Sequence, residues 1–396
     1  MIQITDKSMC CGCSACQAAC PKDCIAMRED EEGFLYPSAD AGKCVSCSLC
    51  EKVCPILHPT PEHSFPQSGY VAQHRQRDIL EQSTSGGAFT AVAAWVIRQG
   101  GLAFGAAYER HFQVSHCYVE SETDLKKFRN SKYVQSRMGD CYRQARRFLE
   151  QGRWVCFSGT PCQIEGLSAF LGRQYDRLLL VDVVCHAVPS PLVWRKYLEM
   201  RGEYAARADE ALFRDKRYGY EYSAMSFRRN GERIYSEGVE TDPYLRAFFS
   251  DICDRPSCYD CKFKKRYRVS DLTIWDCFSP WRFSKEIDNN RGASRVLAHT
   301  NQGHDVLEAM TDCLSLQETP PESLVQGCRE MFQSVKLPAG RERFMKDASV
   351  LNGSELFEKH FPLTWKTRVE KACRRFLVQT RLYGIAKKMI TRLKGR

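Results

Sequence analysis

Apolar and polar positions divide this chain into stretches of different character. Residues 1–57 carry no long apolar run. From Pro55 to Gly69 (PILHPTPEHSFPQSG) four prolines and no periodicity predict an irregular connection. From Tyr70 onward short apolar runs alternate with helical spacings, which is an α/β pattern. Gly86 to Gln99 (GGAFTAVAAWVIRQ) predicts a buried helix ended by Gly100-Gly101. Leu102–Tyr108 predicts a strand, with Cys117–Val119 as its pairing partner. Asp140–Gln151 reads as a surface helix. Trp154–Phe157 is a short apolar run followed by a Gly-Thr-Pro turn and a helix over Gln163–Leu171. Leu178–Val184 predicts a buried strand ending at Cys185-His186, and Val193–Arg201 a helix. Tyr222–Arg228 and Arg233–Val239 flank Asn230-Gly231, a hairpin signal. Ser270–Asp276 predicts another strand, and Val296–His299 with the helix after Gly303 one more strand–helix unit.

The C-terminal pattern differs again. From Trp365 the apolar residues fall at 365, 369, 372, 376, 383, 386, 390 and 393, with Lys and Arg between them. Gly384 weakens such a helix by about 1 kcal/mol relative to Ala. The helix either lies on an anionic membrane surface or docks on the body with a solvated basic face, and docking is the default.

Composition sets bounds on function. The chain has 396 residues, 43% of them apolar, enough for a sizeable core and two or three domains. No run approaches the ~18 to 20 apolar residues of a membrane span. Met1 to Lys7 lacks the layout of a signal peptide, so the expected location is the cytoplasm, with contact at the inner face of the membrane left open. The net charge is +10, and residues 364–396 hold 11 Lys+Arg against Glu370 alone. The whole excess sits in the tail, which is not the footprint of a nucleic-acid-binding domain.

The 22 cysteines change the picture most. In a cytosolic chain clustered thiols read as metal ligands, not disulfides. Cys10-x2-Cys13-x2-Cys16-x3-Cys20-Pro21 recurs as Cys44-x2-Cys47-x2-Cys50-x3-Cys54-Pro55. Three thiolates at two-residue gaps hold three iron corners of one cubane, and the fourth iron is reached from the other run. This assigns Cys10, Cys13, Cys16 and Cys54 to one 4Fe–4S cluster, and Cys44, Cys47, Cys50 and Cys20 to another. Cys11 and Cys24 are extra: either can substitute as a ligand, and a free thiol is the default reading. Structural zinc would use separated pairs of cysteines and has no need of this repeated run.

Three motifs in the body carry further chemistry. Ser83-Thr84-Ser85-Gly86-Gly87 leads into a helix, where free N–H groups can cradle a phosphate. The same residues also read as a Ser cap with glycines for tight packing. Asn130 to Ser136 (NSKYVQS) sets one cation and one aromatic among small polar residues, suited to a phosphate or a flavin ring, or simply an exposed loop. Ser158-Gly159-Thr160-Pro161-Cys162 places a thiol at a helix N-terminus, which favours thiolate. Cys185 follows a buried strand, at the end where open α/β sheets bind ligands. With the pair Cys258-x2-Cys261 these make four thiols able to hold a third 4Fe–4S cluster, or zinc, with Cys253 as a rival fourth ligand.

As an ordered set these motifs resemble the beta subunit of coenzyme F420 hydrogenase/dehydrogenase in its bacterial form with a fused ferredoxin module. The resemblance runs from residue 8 to about 315. It is carried by Ser83 to Gly87, Ser131 to Ser136, Gly159 to Gln163, Asp182 to His186, Pro189-Ser190-Pro191, Arg255 to Cys261, Ser270-Asp271 and Asp276. Two positions depart from the family pattern: Trp275 stands where a glycine is common, and Ala187 follows Cys185-His186. The resemblance implies FAD, held by Ser85, Gly86, Gly87, Lys132, Tyr133, Gln135 and Thr160. It also implies oxidoreduction between a hydride carrier and iron–sulfur centres.

The expected fold class is α+β / α/β: a ferredoxin-like module (1–57), a linker (58–69), a mixed α/β flavin-binding domain in two parts (70–155 and 156–335), and an extension with a basic helix (336–396). The expected activity is that of a flavin- and iron–sulfur-dependent oxidoreductase, with His186 as candidate proton donor. Many bacterial relatives lie beside polysaccharide-assembly genes. The expected partner is a redox protein or a small hydride carrier. Two other readings stay open: a non-catalytic ferredoxin-type subunit feeding a partner enzyme, and a redox-sensing or scaffolding protein.

Overall fold

The computed structural model describes residues 1–380, 382–386 and 389. Positions 390 and 393 of the C-terminal pattern lie outside the described residues.

Both cysteine runs fold alike. In each, a serine in left-handed conformation (Ser14 φ 67°, Ser48 φ 57°) turns the chain into a short helix, Ala15–Ala19 and Leu49–Lys52. Strands β1 (Ile25–Glu29) and β2 (Leu35–Ala39) pair antiparallel between the runs. The segment after them is held, not loose: Lys265 donates to Thr60 O at 2.9 Å, and Gln67 bonds His299 at 2.8 Å.

The body is built on an eight-stranded sheet. Its strands are β3 (Ser68–His74), β4 (Leu102–Tyr108), β5 (Val114–Val119), β6 (Val155–Gly159), β7 (Leu178–Val183), β11 (Leu272–Asp276), β12 (Ser294–Ala298) and β13 (Leu314–Glu318). The order is β13-β3-β12-β11-β7-β6-β4-β5. The central four, β11-β7-β6-β4, run parallel, and the flanking pairs are antiparallel. β8 (Glu210–Asp215), β9 (Ala224–Arg229) and β10 (Glu232–Gly238) form a separate antiparallel sheet, with β9 and β10 joined at Asn230-Gly231 in left-handed conformation. Each predicted strand and helix from Leu102 to Glu308 is present, with ends shifted by a few residues.

The Ala88–Arg98 helix covers one face of the large sheet through Ala91, Val92 and Val96. The Cys141–Glu150 and Pro161–Leu171 helices cover the other face, together with the cysteine module. The Arg341–Val350 and Gly353–His360 helices, grouped with the extension by sequence, bury Phe344, Met345, Leu356 and Phe357 against the Pro191–Arg201 helix and so complete the core of the body.

Three arginines seat the module. Arg255 is fully buried and donates to Cys10 O (2.7 Å), Gln135 Oε1 (2.8 Å) and Leu35 O (3.0 Å). Arg341 forks onto Glu32 at 2.9 and 2.5 Å. Arg143 donates to Ala18 O, Gln17 O and Cys20 O at 2.8–3.1 Å. Gly166 lets the module close on the sheet, because a Cβ there would lie 2.9 Å from Cys13 Sγ.

Gly86 is equally constrained. A Cβ at this position would stand 2.3 Å from Ala72 O on β3 and 2.6 Å from Ser294 N on β12. Both obstacles are backbone. Gly86→Ala is expected to lower stability by about 1–3 kcal/mol, measurable by denaturant unfolding, with an unchanged midpoint as the contrary result.

Candidate functional site

The C-terminal ends of the parallel strands open into a cavity of about 830 Å3. The three body motifs meet there, joined by hydrogen bonds between side chains far apart in sequence. Thr84 Oγ1 and Ser131 Oγ are 2.9 Å apart, and Ser131 N donates to Thr84 Oγ1 at 2.6 Å. Gln163 Nε2 donates to Ser136 Oγ at 3.0 Å. Ser85, Gly87, Lys132, Tyr133, Gln135, Thr160 and His186 all line the cavity. Gly86 does not: it packs against the sheet, and its N–H goes to Ser294 Oγ at 2.9 Å.

The serine-cap reading of the first motif is not realised. The residue before the Ala88–Arg98 helix is Gly87 in left-handed conformation, φ 79°, with no side-chain cap. The helix therefore presents its N-terminus, where backbone donors attract anions, to the cavity. Lys216 fixes the loop by donating to Leu80 O, Ser85 O and Arg291 O at 2.6–2.8 Å. The hydroxyl of Thr160 and the amide of Gln163 form a capping box, and Thr160 Oγ1 also touches Cys162 Sγ at 3.1 Å. Gln135 doubles as a strut, accepting from Arg255 and lying 3.4 Å from Cys11 O.

Among the charged residues on the walls, cations outnumber acids. Lys132 donates to Arg129 O and Asn130 O, and burial pushes its amine down to about 7. Arg214 is buried and donates to Asp276 Oδ2 (3.1 Å) and Tyr133 OH (3.3 Å). Burial opposes its charge, but Asp276, Tyr133 and Tyr220 outweigh burial and hold its pKa above the ordinary value. Its Nη2 has no hydrogen-bond partner among the described residues, nor do Arg295 Nε and Trp275 Nε1 on the same cavity. His116 donates from Nε2 to Ser158 O at 3.0 Å, its Nδ1 is unpartnered, and burial lowers its pKa to about 4. Sequence reading missed Arg214, Arg295 and His116. Each lies in a strand where nothing in the local pattern separates a cavity residue from a buried polar one. His186 donates from Nε2 to Asp251 Oδ1 at 2.7 Å, which leaves Nδ1 as the ring's proton-accepting nitrogen.

The thiols gather in three places. Cys20, Cys44, Cys47 and Cys50 line one small pocket. Cys24, read as a free thiol, joins them, its sulfur 3.3 Å from Cys20 Sγ. Cys16 has Cys10 and Cys54 as electrostatic neighbours, and burial, ahead of these, pushes its thiol up to about 12. Cys13 faces Cys16 and Cys11.

In the body, Cys185 neighbours Cys162 and Cys261, while Cys258 neighbours Cys185 and Cys261. These are the four thiols the sequence grouped. Cys253 is sealed in apolar core instead. For Cys162 the helix N-terminus is outweighed: the contact with Cys11 and then burial push its thiol up, not down. Cys11 touches both Cys13 and Cys162, so it spans the first and third groups. Cys162 and Cys185 line the large cavity as well.

Residues 152–323 match the family described as the C terminus of the coenzyme F420 hydrogenase/dehydrogenase beta subunit, and residues 9–56 match the 4Fe–4S dicluster domain. Residues 152–323 thus resemble that beta subunit's C-terminal domain, and residues 9–56 a 4Fe–4S dicluster ferredoxin domain. With these two matches the chain is an iron–sulfur electron-transfer protein. A chain of the F420-reducing NiFe hydrogenase complex from Methanosarcina barkeri is similar in structure, with 14% identity over 76% of this chain and 94% of that chain and a TM-score of 0.46. No curated protein matches the chain significantly.

Proposed function

We propose that this protein moves electrons between a hydride carrier, at FAD bound in the large cavity, and three 4Fe–4S clusters held by its thiol groups. One observation carries the reading: Cys162 and Cys185, from the third thiol group, form part of the wall of the cavity that Ser85, Gly87 and Lys132 also line. Flavin chemistry and one-electron iron–sulfur chemistry would thus meet without intervening chain.

Cavity size, donors and thiol neighbours support the reading, although among the described residues no group of three or more thiols stands at metal-binding distance. A volume of about 830 Å3 lies within the usual range for cofactor pockets, about 300–1,000 Å3. The uncapped helix start at Gly87, the unpartnered Nη2 of Arg214 and the amine of Lys132 supply donors for a pyrophosphate. Cys10, Cys13, Cys16 and Cys54 would hold one cluster, Cys20, Cys44, Cys47 and Cys50 a second, and Cys162, Cys185, Cys258 and Cys261 the third. When bound, a flavin exchanges a hydride as an electron pair and iron–sulfur clusters carry single electrons.

The chain's own groups do the rest. His186, oriented by Asp251, can hold or release a proton at Nδ1 on the cavity wall. Tyr133 is stacked on Phe248 at 4.4 Å and keeps the wall rigid. Arg255 and Arg341 fix the distance between module and body. Cys47 is exposed beside the exposed apolar residues Val45 and Leu49, a surface suited to a redox partner protein. Among the described residues no helix is long and apolar enough to cross a membrane.

The test is to reduce the anaerobic protein with NADH, NADPH or reduced coenzyme F420. Hydride-dependent bleaching of both flavin and iron–sulfur absorption supports the reading; a protein whose clusters accept electrons only from another protein supports the non-catalytic alternative. Affinity for flavin should also depend on pH. Lys132 titrates near 7 in the free site, and an anionic ligand binds its charged form. Affinity is therefore level below pH 7 and falls above it, by at most about tenfold per unit. In Lys132→Met the fall should vanish; an unchanged pH profile would contradict this role. Arg214→Gln should weaken flavin binding by about 10- to 100-fold, read by equilibrium titration of the apoprotein.

A further inference from the structure

The Trp365–Gln379 helix sits on the body with an apolar stripe turned outward. Its inner stripe begins polar and ends with Leu377 and Val378. Lys371 pairs with Glu237 at 2.6 Å, and Arg374 reaches Tyr383 OH at 3.4 Å, whose ring packs on Tyr222. Thr367, Lys371, Arg374 and Val378 are half-buried along this stripe, three to four residues apart.

The outer stripe is apolar. Trp365, Val369, Ala372 and Phe376 follow at the same spacing, and Trp365 is 70%, Val369 49% and Phe376 61% exposed. Leu382, Ile385 and Met389 continue the exposed apolar residues, each between 45% and 62% exposed. No residue of the Trp365–Gln379 helix is buried. The helix is thus docked through Lys371 and Arg374, with Lys366, Arg368 and Arg375 solvated and an apolar stripe left in water between them.

We infer that this outer stripe is a binding surface for an anionic lipid bilayer. Charge selects the occupant. Lys366, Arg368 and Arg375 flank the stripe, are exposed, and have no ion pair among the described residues. Residues 364–396 hold the entire net charge of +10 while residues 1–363 are neutral, so one end of the molecule alone is drawn to a negative surface. A second copy of this chain is disfavoured, because apposing two such stripes brings two equally cationic tails together. An apolar stripe bordered by Lys and Arg, with Trp at its end, suits the boundary between lipid headgroups and acyl chains. The inference does not depend on the flavin reading.

Full-length protein is floated anaerobically with vesicles of phosphatidylglycerol mixed with phosphatidylcholine, and with phosphatidylcholine alone. It is expected to float with the mixed vesicles only, and to be released by high salt. Trp365→Ser combined with Phe376→Ser should reduce the bound fraction by about tenfold or more. Arg368→Gln combined with Arg375→Gln should abolish the preference for anionic vesicles. Iron content and unfolding midpoint are measured on each variant, and both should match the unsubstituted protein. No flotation, equal flotation with the two vesicle types, or full retention by either double variant overturns the proposal. So does a dimer in solution that Trp365→Ser dissolves, which would give the stripe to a second copy.

Discussion

Cys258→Ser is expected to remove about four irons per chain and to stop electrons that enter at the cavity from reaching the thiols of residues 9–56. Cys258 lies among Cys185, Cys261 and the buried carboxyl of Asp254, with burial holding its thiol well above the ordinary value. Serine offers a poor ligand in such surroundings, since its hydroxyl is far harder to deprotonate than a thiol. Flavin content should be untouched, because Cys258 is not on the cavity wall. The flavin would then still be reduced by a hydride carrier, with the two-cluster module left oxidised. Cys253→Ser is the control. Cys253 is enclosed among Tyr244, Phe344 and other apolar residues, so its replacement should cost some stability and no iron. Iron analysis and absorption during reduction distinguish the two variants. Equal iron in Cys258→Ser and the unsubstituted protein would remove the third cluster from the account.

Arg255→Met should lower stability by about 3–5 kcal/mol. The guanidinium donates to two backbone carbonyls of the module, at Cys10 and Leu35, and to Gln135 of the body. It also stacks over Tyr36, its centre 4.2 Å from the ring centroid. Methionine fills part of the volume and leaves three acceptors buried without a donor. The same charge stands near Cys10, Cys11 and Cys258, between the first and third thiol groups. Removing it should make any cluster held there harder to reduce, shifting potentials downward. Arg255→Lys separates the effects: it keeps the charge and so the potentials, but lacks the planar fork that joins module to body. Denaturant unfolding and redox titration report the two properties independently. A variant with native stability would show that the module is held by other contacts.

Much of this arrangement is written locally in the sequence. The two cysteine runs specify their own folds, because the spacing and Ser14 or Ser48 in left-handed turns act within a few residues. The central strands β4, β6, β7 and β11 are legible because they are largely buried on both faces and therefore read as short apolar runs, and β9 and β10 through the Asn230-Gly231 turn between them. Grouping Cys162, Cys185, Cys258 and Cys261 was possible because Cys162 and Cys185 stand at ends of predicted elements and the other two form a Cys-x2-Cys pair. The cation set of the cavity was not legible. Arg214 belongs to β8, outside the main sheet, and meets Asp276 only in the folded chain. The role of Gly86 was misplaced for a similar reason. Its neighbours Ser85 and Gly87 face the cavity, whereas contact with Ala72 and Ser294, distant in sequence, turns Gly86 into the sheet. The orientation of the Trp365–Gln379 helix was equally hidden, since the same stripe can face inward or outward and Glu237 decides.

The central claim is that one polypeptide joins a flavin site to three groups of iron-binding thiols. Counting iron, acid-labile sulfide and extractable flavin in protein isolated without oxygen tests it most directly. About twelve irons, as many sulfides and one FAD per chain are expected. About eight irons and no flavin, in a protein that is folded and fully loaded, would contradict it.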